Sequence, residues 1–351
     1  MRSALGLLLA SVVSAGLIAA VWFWTSSPHA EWSSAPATAK SAQAERLPAS
    51  AKSADDVDVT GSISGKPAAA SPTTPAATPA TAALAQPATP CANPDALGVS
   101  RVVEVDTTGG PGFGFENFKQ LDFLADKEVV LTFDDGPWPG NTPAVLKALA
   151  DECTKGLFFP IGKHAGYHPE ILKQVAAAGH TIGAHTWSHA NLNSKKLNEQ
   201  QAKDEVEKGF SAVKLALGAA PSPFFRFPEL QHNPATVAYL GTRNIAIFSC
   251  DLDSFDFRKN SSADKVVSTV MGKLNKLGKG IILMHDFQKH TADALPELLR
   301  QLKAGGFKVV QIKAKTPMQT LAEYDELVAK DAKVPVATAR PVNSVVQTVS
   351  Q

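Results

Sequence analysis

The chain alternates short apolar runs with longer stretches in which apolar residues recur at helical spacing. Five of the apolar runs have the length and composition of β-strands, and each is followed by side chains that can bind a metal or transfer a proton. The runs, with the polar residues that follow them, are VVLTF before Asp134 and Asp135, HTIGA before His185, PFF before Arg226, NIAIFSC before Asp253 and Asp256, and GIILM before His285.

Helical spacing between these runs predicts four helices, near Pro143–Asp151, Glu170–Ala178, Leu197–Leu217 and Ala263–Leu277. Strand–helix alternation of this kind predicts an α/β fold built on a parallel barrel or sheet. In such folds the loops at the C-terminal ends of the strands carry the chemistry. We therefore expect the polar residues after the five runs to meet in one site.

The N-terminal segment, residues 1–25, contains an uncharged run over residues 3–24 that is long enough to cross a bilayer. Trp22 and Trp24 lie where an interfacial aromatic belt would be, which favours an anchor in the inner membrane. A cleaved signal peptide is the alternative, because Ser27–Ala30 offers a weak small-x-small site. Both interpretations predict export: to the periplasmic side of the cytoplasmic membrane with an anchor, or secretion after cleavage.

Residues 26–98 are dominated by Ala, Pro, Ser and Thr, which supply almost no large apolar side chains. Such a segment cannot bury enough surface to offset its ordering entropy, so we predict a disordered tether. Residues 99–315 then form the folded domain, and residues 316–351 a C-terminal helix and flexible tail.

Charge and cysteine content narrow the function classes further. The formal net charge of +1 gives no indication of nucleic-acid binding. A disulfide between Cys91 and Cys153 is chemically permitted in an oxidising compartment, but the sequence alone does not establish it. Cys250 ends an apolar run and is expected to be buried.

Two histidines in the segment HTWSH, His185 and His189, are four residues apart. On one helical turn, positions i and i+4 face the same way, so both imidazoles can bind one ion. Two surface histidines in a polar loop are the alternative interpretation.

The adjacent carboxylates Asp134 and Asp135 repel each other in a shared pocket unless a cation lies between them. Two imidazoles and one carboxylate suit zinc or a related divalent metal, with a position left open for water. The other carboxylate is then free to accept a proton from that water. A plain Asp-Asp-Gly turn is the alternative.

Three further residues are candidates for proton transfer or its support. His285 follows a buried strand and either is structural or supplies the acid that amide or ester hydrolysis needs besides a base. Arg226 forms either a structural ion pair or a clamp on a catalytic carboxylate. Asp256 either orients an imidazole or caps a loop.

With these residues in place, the chain resembles the polysaccharide deacetylases of the NodB-homology group, carbohydrate esterase family 4, over about residues 127–312. The resemblance rests on five segments in the family's order: TFDDGP at Thr132–Pro137, HTWSH at His185–His189, Arg226–Glu229, DSFDF at Asp253–Phe257 and LMH at Leu283–His285. The family fold is an incomplete, distorted (β/α) barrel with the active site at the C-terminal ends of its strands, and we expect that fold here.

The resemblance implies a role for each candidate. Asp134 would be the catalytic base, held by Arg226, and His285 the acid, tuned by Asp256. The metal ligands would be Asp135, His185 and His189, with zinc the expected ion. The oxyanion donor would be the backbone N–H near Glu229, and Leu283 would line the acetyl pocket. Glu229 and Trp138 are further expected substrate contacts.

Several positions depart from the family's pattern. Glu229 and Leu230 stand where the family has Tyr and Gly, and Phe227 and Phe257 where it has Pro and Trp. We expect Glu229 to face the substrate groove, with Lys163 and Arg243 as partners suggested by charge alone.

Membership would imply removal of N-acetyl groups from an N-acetylglucosamine polymer: peptidoglycan, a chitooligosaccharide or an exopolysaccharide. Two alternatives remain open, a deacetylase or amidohydrolase of a smaller molecule and a catalytically silent glycan-binding protein of the cell envelope.

Overall fold

The computed structural model describes Cys91, residues 93–119 and residues 121–333. The predicted anchor, most of the predicted tether and the predicted C-terminal tail lie outside these residues. Among the helices that are described, none combines the length and the apolar character that crossing a membrane requires.

Ten strands and eight α-helices make up the described part of the chain. The strands are β1 Arg101–Val105, β2 Gly112–Phe113, β3 Glu128–Asp134, β4 Leu157–Phe159, β5 Thr181–Ile182, β6 Phe224–Phe225, β7 Ala246–Phe248, β8 Leu252–Asp253, β9 Gly280–His285 and β10 Lys308–Ala314. The helices are α1 Asn141–Asp151, α2 Gly162–Tyr167, α3 Pro169–Ala177, α4 Glu199–Leu217, α5 Pro234–Thr242, α6 Ala263–Leu277, α7 Lys289–Ala304 and α8 Ala322–Lys333.

Every strand pairing is parallel, and the strands follow one another around an incomplete barrel in the order β8, β9, β3, β4, β5, β6 and β7. The step from β5 to β6 is a single bridge between Ala184 and Phe225. No pairing joins β7 to β8 among the described strands, so the barrel is open there. The fold is therefore the α/β architecture with an incomplete barrel that the sequence predicts.

The alternation of side chains along β3 and β9 decides which residues reach the barrel interior. On β3, Val129, Leu131 and Phe133 pack outward against the helices. Val130 packs in the interior cluster, and the alternation places Asp134 on the same face. Burial of each large apolar side chain stabilises the fold by about 1.5–3 kcal/mol, so the pattern fixes the register that turns Asp134 inward.

The five predicted strands and four predicted helices are all present, and their ends differ from the predicted ones by at most two residues. The prediction omits the three-residue strand β4, the strand β10, which pairs with the start of β3, and the strand β1, which pairs with β10. It also omits α7, which carries Pro296 within its length.

Some residues of the predicted tether, 26–98, contact the folded domain. A disulfide joins Cys91 to Cys153. The backbone N–H groups of Leu97 and Gly98 donate to the Glu152 side chain and carbonyl, both at 2.8 Å. Residues 93–98 are thus attached to the C-terminal end of α1 because these contacts satisfy their backbone.

Candidate active site

A cavity of about 390 Å³ opens where the barrel strands end. Seven of the ten residues predicted for the site line it: Asp134, Asp135, His185, His189, Glu229, Leu283 and His285. Phe227, Leu230, Asp253 and Phe257 complete the lining. Two further predicted residues, Arg226 and Asp256, are fully buried beside it.

The end of β3 places Asp134 against Arg226, and both side chains are buried. Arg226 Nη1 donates to Asp134 Oδ1 at 2.8 Å and to Thr132 Oγ1 at 2.7 Å. Its other nitrogens donate to the carbonyl oxygens of Phe248 and Ser249. Four of the five N–H groups of the guanidinium are thereby used inside the barrel, and the remaining oxygen of Asp134 faces the cavity.

Asp135, His185 and His189 bring one potential ligand atom each to within 4.8 Å of one another. The Nε2 atoms of His185 and His189 both lie 3.5 Å from Asp135 Oδ1. That oxygen is buried and has no hydrogen-bond partner among the described residues. A buried carboxylate oxygen without a donor is costly, and a cation shared with two imidazoles satisfies it.

The protonation state of His185 also suits metal binding. Its Nδ1 donates to the carbonyl oxygen of Arg226 at 2.7 Å, which directs the lone pair of Nε2 towards Asp135. Burial lowers the pKa of His185 despite the nearby carboxylates, so the ring is neutral. A neutral imidazole whose second nitrogen donates to a carbonyl is the form that binds metals. The three residues therefore fit a divalent cation.

The interpretation of His185 and His189 as neighbours on one helical turn is wrong. Both lie on an irregular loop after β5, and their rings approach to 5.0 Å between centroids. Thr186 and His189 adopt left-handed φ values of 65° and 61°, which bend the loop so that both rings face Asp135. Asp135 itself has a φ of 70°. Strained non-glycine backbone of this kind clusters at functional sites.

Helix α4 holds that loop, through residues the sequence analysis missed. Glu205 accepts hydrogen bonds from the backbone N–H and the hydroxyl of Ser188, both at 2.8 Å. A Cβ on Gly209 would lie 2.7 Å from the backbone of Thr186. Only glycine lets the helix approach the loop so closely.

His285 is the last residue of β9. The β3–β9 register pairs it with Asp134, and its side chain faces the cavity. Its Nδ1 lies 2.7 Å from Asp256 Oδ1, while Asp256 Oδ2 accepts from the His285 backbone N–H and from Thr291. Burial by itself lowers the pKa of His285, but Asp256, together with Asp135 and Asp134, raises it to about 10. His285 is therefore held protonated at neutral pH.

Glu229 lies in a short 3₁₀ turn, Pro228–Leu230, and is exposed at the edge of the cavity as expected. Its Oε2 accepts from Asn191 Nδ2 at 2.7 Å. Of the two partners suggested by charge, Arg243 pairs with Glu207 instead, and Lys163 forms no ion pair within the described residues. The two backbone hydrogen bonds of the turn are donated by Leu230 and Gln231, so neither uses the N–H of Glu229.

Trp138 is the predicted substrate contact that does not line the cavity. Its ring packs against His164 and Phe287, with centroids 5.3 and 4.9 Å away. His164 in turn contacts the carbonyl oxygen of Asp135 through Nδ1 at 2.6 Å. Trp138 is thus placed to support the backbone of Asp135, and no sequence pattern indicated His164 as its neighbour.

Asp286 is a further buried carboxylate that the sequence analysis passed over. Thr142 Oγ1 donates to its Oδ2 at 2.5 Å. Burial raises the pKa of Asp286 to about 7, and the hydrogen bond from Thr142 opposes that shift. Its position directly after His285 in the sequence is the one signal that pointed to it.

Comparison with known proteins agrees with this geometry. Residues 124–245 match the family model described as polysaccharide deacetylase. A peptidoglycan-N-acetylglucosamine deacetylase of Bacillus cereus is 34% identical over 189 residues, which are 53% of this chain and 66% of that protein. A chitooligosaccharide deacetylase of a Bradyrhizobium species is 27% identical over 202 residues, 54% of this chain and 90% of that protein.

Among solved structures, a peptidoglycan deacetylase of Bdellovibrio bacteriovorus superposes with a TM-score of 0.56 and 35% identity, over 62% of this chain and 59% of that chain. The chain thus spans just under two thirds of the Bacillus relative and of the Bdellovibrio protein. The matched segment carries the strand that ends in Asp134 and Asp135, the loop of the two histidines and the strand before Arg226. The chain belongs to the polysaccharide deacetylase family.

Proposed function

We propose that this protein is a metal-dependent hydrolase that removes N-acetyl groups from a polysaccharide containing N-acetylglucosamine. The observation that carries the proposal is the arrangement of the cavity. Two proton-transfer groups, Asp134 and His285, stand side by side at the ends of β3 and β9, next to three side chains that fit one cation.

Asp135, His185 and His189 would hold the metal. We propose zinc, because two neutral imidazoles and one carboxylate with a position left open form a ligand set that zinc favours in hydrolases. A divalent ion bound there supplies a Lewis acid that polarises the amide carbonyl and makes water more acidic.

Asp134 is proposed as the general base. Its Oδ1 is occupied by Arg226, so Oδ2 is the oxygen that can accept the proton of the attacking water. The fixed guanidinium also prevents the carboxylate from rotating, which keeps the proton acceptor aimed at the reacting carbon.

His285 is proposed as the general acid. Asp256 keeps its imidazole protonated and fixes its ring, so Nε2 can donate a proton to the nitrogen of the breaking C–N bond. Water supplies the oxygen of the new C–O bond, and the products are acetate and a free amine on the sugar. The backbone N–H of Glu229 is proposed to stabilise the oxyanion, while Leu283 and Phe257 would contact the acetyl methyl group.

The relatives and the sequence support the proposed substrate and location. The named relatives act on peptidoglycan or chitooligosaccharides, which supports a polymer over a small molecule. An uncharged run at residues 3–24 supports export, with the protein anchored in the cytoplasmic membrane and facing the periplasm, or secreted after cleavage.

Acetate release by the full-length protein tests the proposal. The protein is first treated with a chelator, then given zinc, and incubated with chitooligosaccharides and peptidoglycan fragments. We expect release that requires both the metal and Asp134, with Asp134→Asn as the inactive variant and Asp151→Asn as its exposed control. Glycan binding without acetate release under any metal would refute the enzyme and support a silent glycan-binding protein.

A further inference from the structure

A second cavity, of about 410 Å³, lies on the other side of the loop that bounds the active-site cavity. Asp253 and Phe257 line the active-site cavity, whereas Ser254 and Phe255, between them in sequence, line the second one. The remaining lining comes from Arg258, Lys259, Asn260, Ser261, Lys265 and Thr269. The loop is therefore a shared wall between the two cavities.

The second cavity is lined by cations that lack counter-charges. Arg258, Lys259 and Lys265 form no ion pair of 4.0 Å or less with any carboxylate in the described residues. Asp264, in the first turn of α6, forms none either. By contrast, Lys147 and Lys289 on other helices each pair with an aspartate four residues away.

The aromatic ring of Phe255 brings Arg258 close to a further cation, Lys273. Arg258 Cζ lies 3.7 Å from the ring centroid, and Lys273 Nζ lies 3.9 Å from the same centroid. Phe255 has a left-handed φ of 57°, so the loop backbone is bent to present the ring to both cations. Like charges gathered on one ring repel each other, and an anion bound among them relieves that repulsion.

Ring contacts connect this charge to the proposed acid. The Phe257 ring lies 5.5 Å from that of His285, and the Phe255 ring lies 6.5 Å from that of Phe257. A polymer held in the active-site cavity therefore passes close to Arg258 when it extends over Phe257, whose side chain is half exposed.

We propose that the second cavity is a subsite for a carboxylate carried by the polymer, so that the protein prefers acidic N-acetylglucosamine polymers over neutral ones. The inference rests on the proposed deacetylase function and narrows its substrate class. A guanidinium and two ammonium groups around one cavity suit a carboxylate on a sugar or its substituent. A neutral oligomer has no anionic group that could pair with these cations.

The test compares kcat/KM on three substrates: neutral chitooligosaccharides, peptidoglycan glycan fragments that keep their carboxylates, and the same fragments with carboxyl groups converted to methylamides. The variant is Arg258→Gln/Lys259→Gln/Lys265→Gln in the full-length chain. Its control, Lys147→Gln/Arg300→Gln/Lys330→Gln, makes the same charge change on α1, α7 and α8.

We expect the triple variant to lose about tenfold or more on the acidic fragments and to keep the parent rate on the other two substrates. The parent's preference for the acidic fragments should also weaken with added salt. Equal parental rates on acidic and methylamidated fragments, or equal losses of the variant on all substrates, would overturn the subsite.

Failure of the subsite and failure of the enzyme are distinguishable. If no substrate releases acetate, the deacetylase proposal is wrong. Calorimetry with the acidic and methylamidated fragments then still decides the subsite, because only a carboxylate subsite gives tighter binding of the acidic fragment to the parent than to the triple variant. Matching thermal unfolding of parent and variants shows that all are folded.

Discussion

The floor of the active-site cavity and its rim are built in opposite ways. The floor consists of Asp134, His185, Arg226 and Asp256, each no more than 2% exposed and each hydrogen-bonded or ion-paired to another part of the barrel. The rim consists of Glu229, Leu230 and Phe257, which are exposed or half-buried and make few polar contacts.

The two regions also relate differently to the polysaccharide deacetylase pattern. Every floor residue matches it, whereas all three rim residues depart from it. Buried polar groups must be satisfied together, because one unpaired member costs more than the network gains. Rim side chains meet water whatever their identity. We infer that the floor carries the reaction and the rim the choice of glycan, and that the two can be altered separately.

Replacing the proposed base should have the largest effect. Asp134→Asn removes the proton acceptor and leaves the buried Arg226 without a counter-charge. We expect a loss of at least ~10²-fold in kcat and destabilisation of ~3 kcal/mol. Acetate release and urea unfolding measure the two effects. Asp151→Asn, an exposed member of a surface pair, should change stability by less than ~0.5 kcal/mol. A variant with near-parental turnover would remove Asp134 from the mechanism.

Loss of a metal ligand should have the second-largest effect. In His185→Ala only Asp135 and His189 remain, so zinc affinity should fall by ~10²-fold or more, beyond the 10–100-fold typical of outer-shell changes. Zinc at a hundredfold excess over its Kd should stabilise the parent by about 2.7 kcal/mol and the variant hardly at all. Thermal unfolding with and without zinc measures this, with His290→Ala as the control. Equal stabilisation of parent and His185→Ala would contradict the ligand assignment.

A smaller effect is expected from Asp256→Asn, which should move the alkaline limit of kcat/KM to lower pH by about 1–3 units. Burial lowers the pKa of His285, but Asp256, with smaller contributions from Asp135 and Asp134, raises it to about 10 from an ordinary value near 6.5. The raised pKa stabilises the folded state below pH 6.5, and that contribution disappears as the pH rises towards 10.

Unfolding of the metal-free protein between these two pH values measures the effect of Asp256 on stability separately from its effect on the rate. The parent should lose more stability than Asp256→Asn over this range, and Asp264→Asn, an exposed control, should follow the parent. An unmoved alkaline limit in Asp256→Asn would show that Asp256 does not tune the acid.

The smallest change in rate is expected at the rim. Glu229→Gln removes an exposed charge whose interactions are worth ~0.2–1 kcal/mol, so rates on acidic glycans should rise up to about fivefold. Glu229→Tyr should change the ranking of neutral and anionic glycans. Metal binding should be unaffected in both, and Glu199→Gln at the start of α4 is the control. An identical ranking in parent and Glu229→Tyr would make Glu229 a solvated carboxylate without a role in selectivity.

The floor could be predicted from the sequence because its residues follow strands with an unambiguous pattern. On β3 and β9 the apolar residues alternate between the outer helices and the interior, so the end residues Asp134 and His285 have only one possible orientation. The elements that the prediction omitted lack such an unambiguous pattern. β4 has three residues, and Pro296 inside α7 is a signal that normally ends a helix.

The loops could not be predicted, since their shapes depend on backbone conformations that residue type does not indicate. Thr186, His189 and Phe255 all adopt left-handed φ values that side chains of their kinds rarely take. The sequence therefore identified the two histidines but assigned them to a helix. It likewise could not show that Arg258 and Lys273 meet at one ring, or that Glu229 pairs with Asn191.

The guanidinium of Arg226 has a consequence for the whole architecture. It donates to the carbonyl oxygens of Phe248 and Ser249, at the end of β7 where no described strand pairing continues to β8, and it reaches across to Thr132 and Asp134 on β3. One side chain thus ties the open edge of the barrel at β7 to β3 on the opposite side. In a library randomised at position 226 and screened for soluble expression alone, with no substrate present, arginine should be recovered, because folding already demands it.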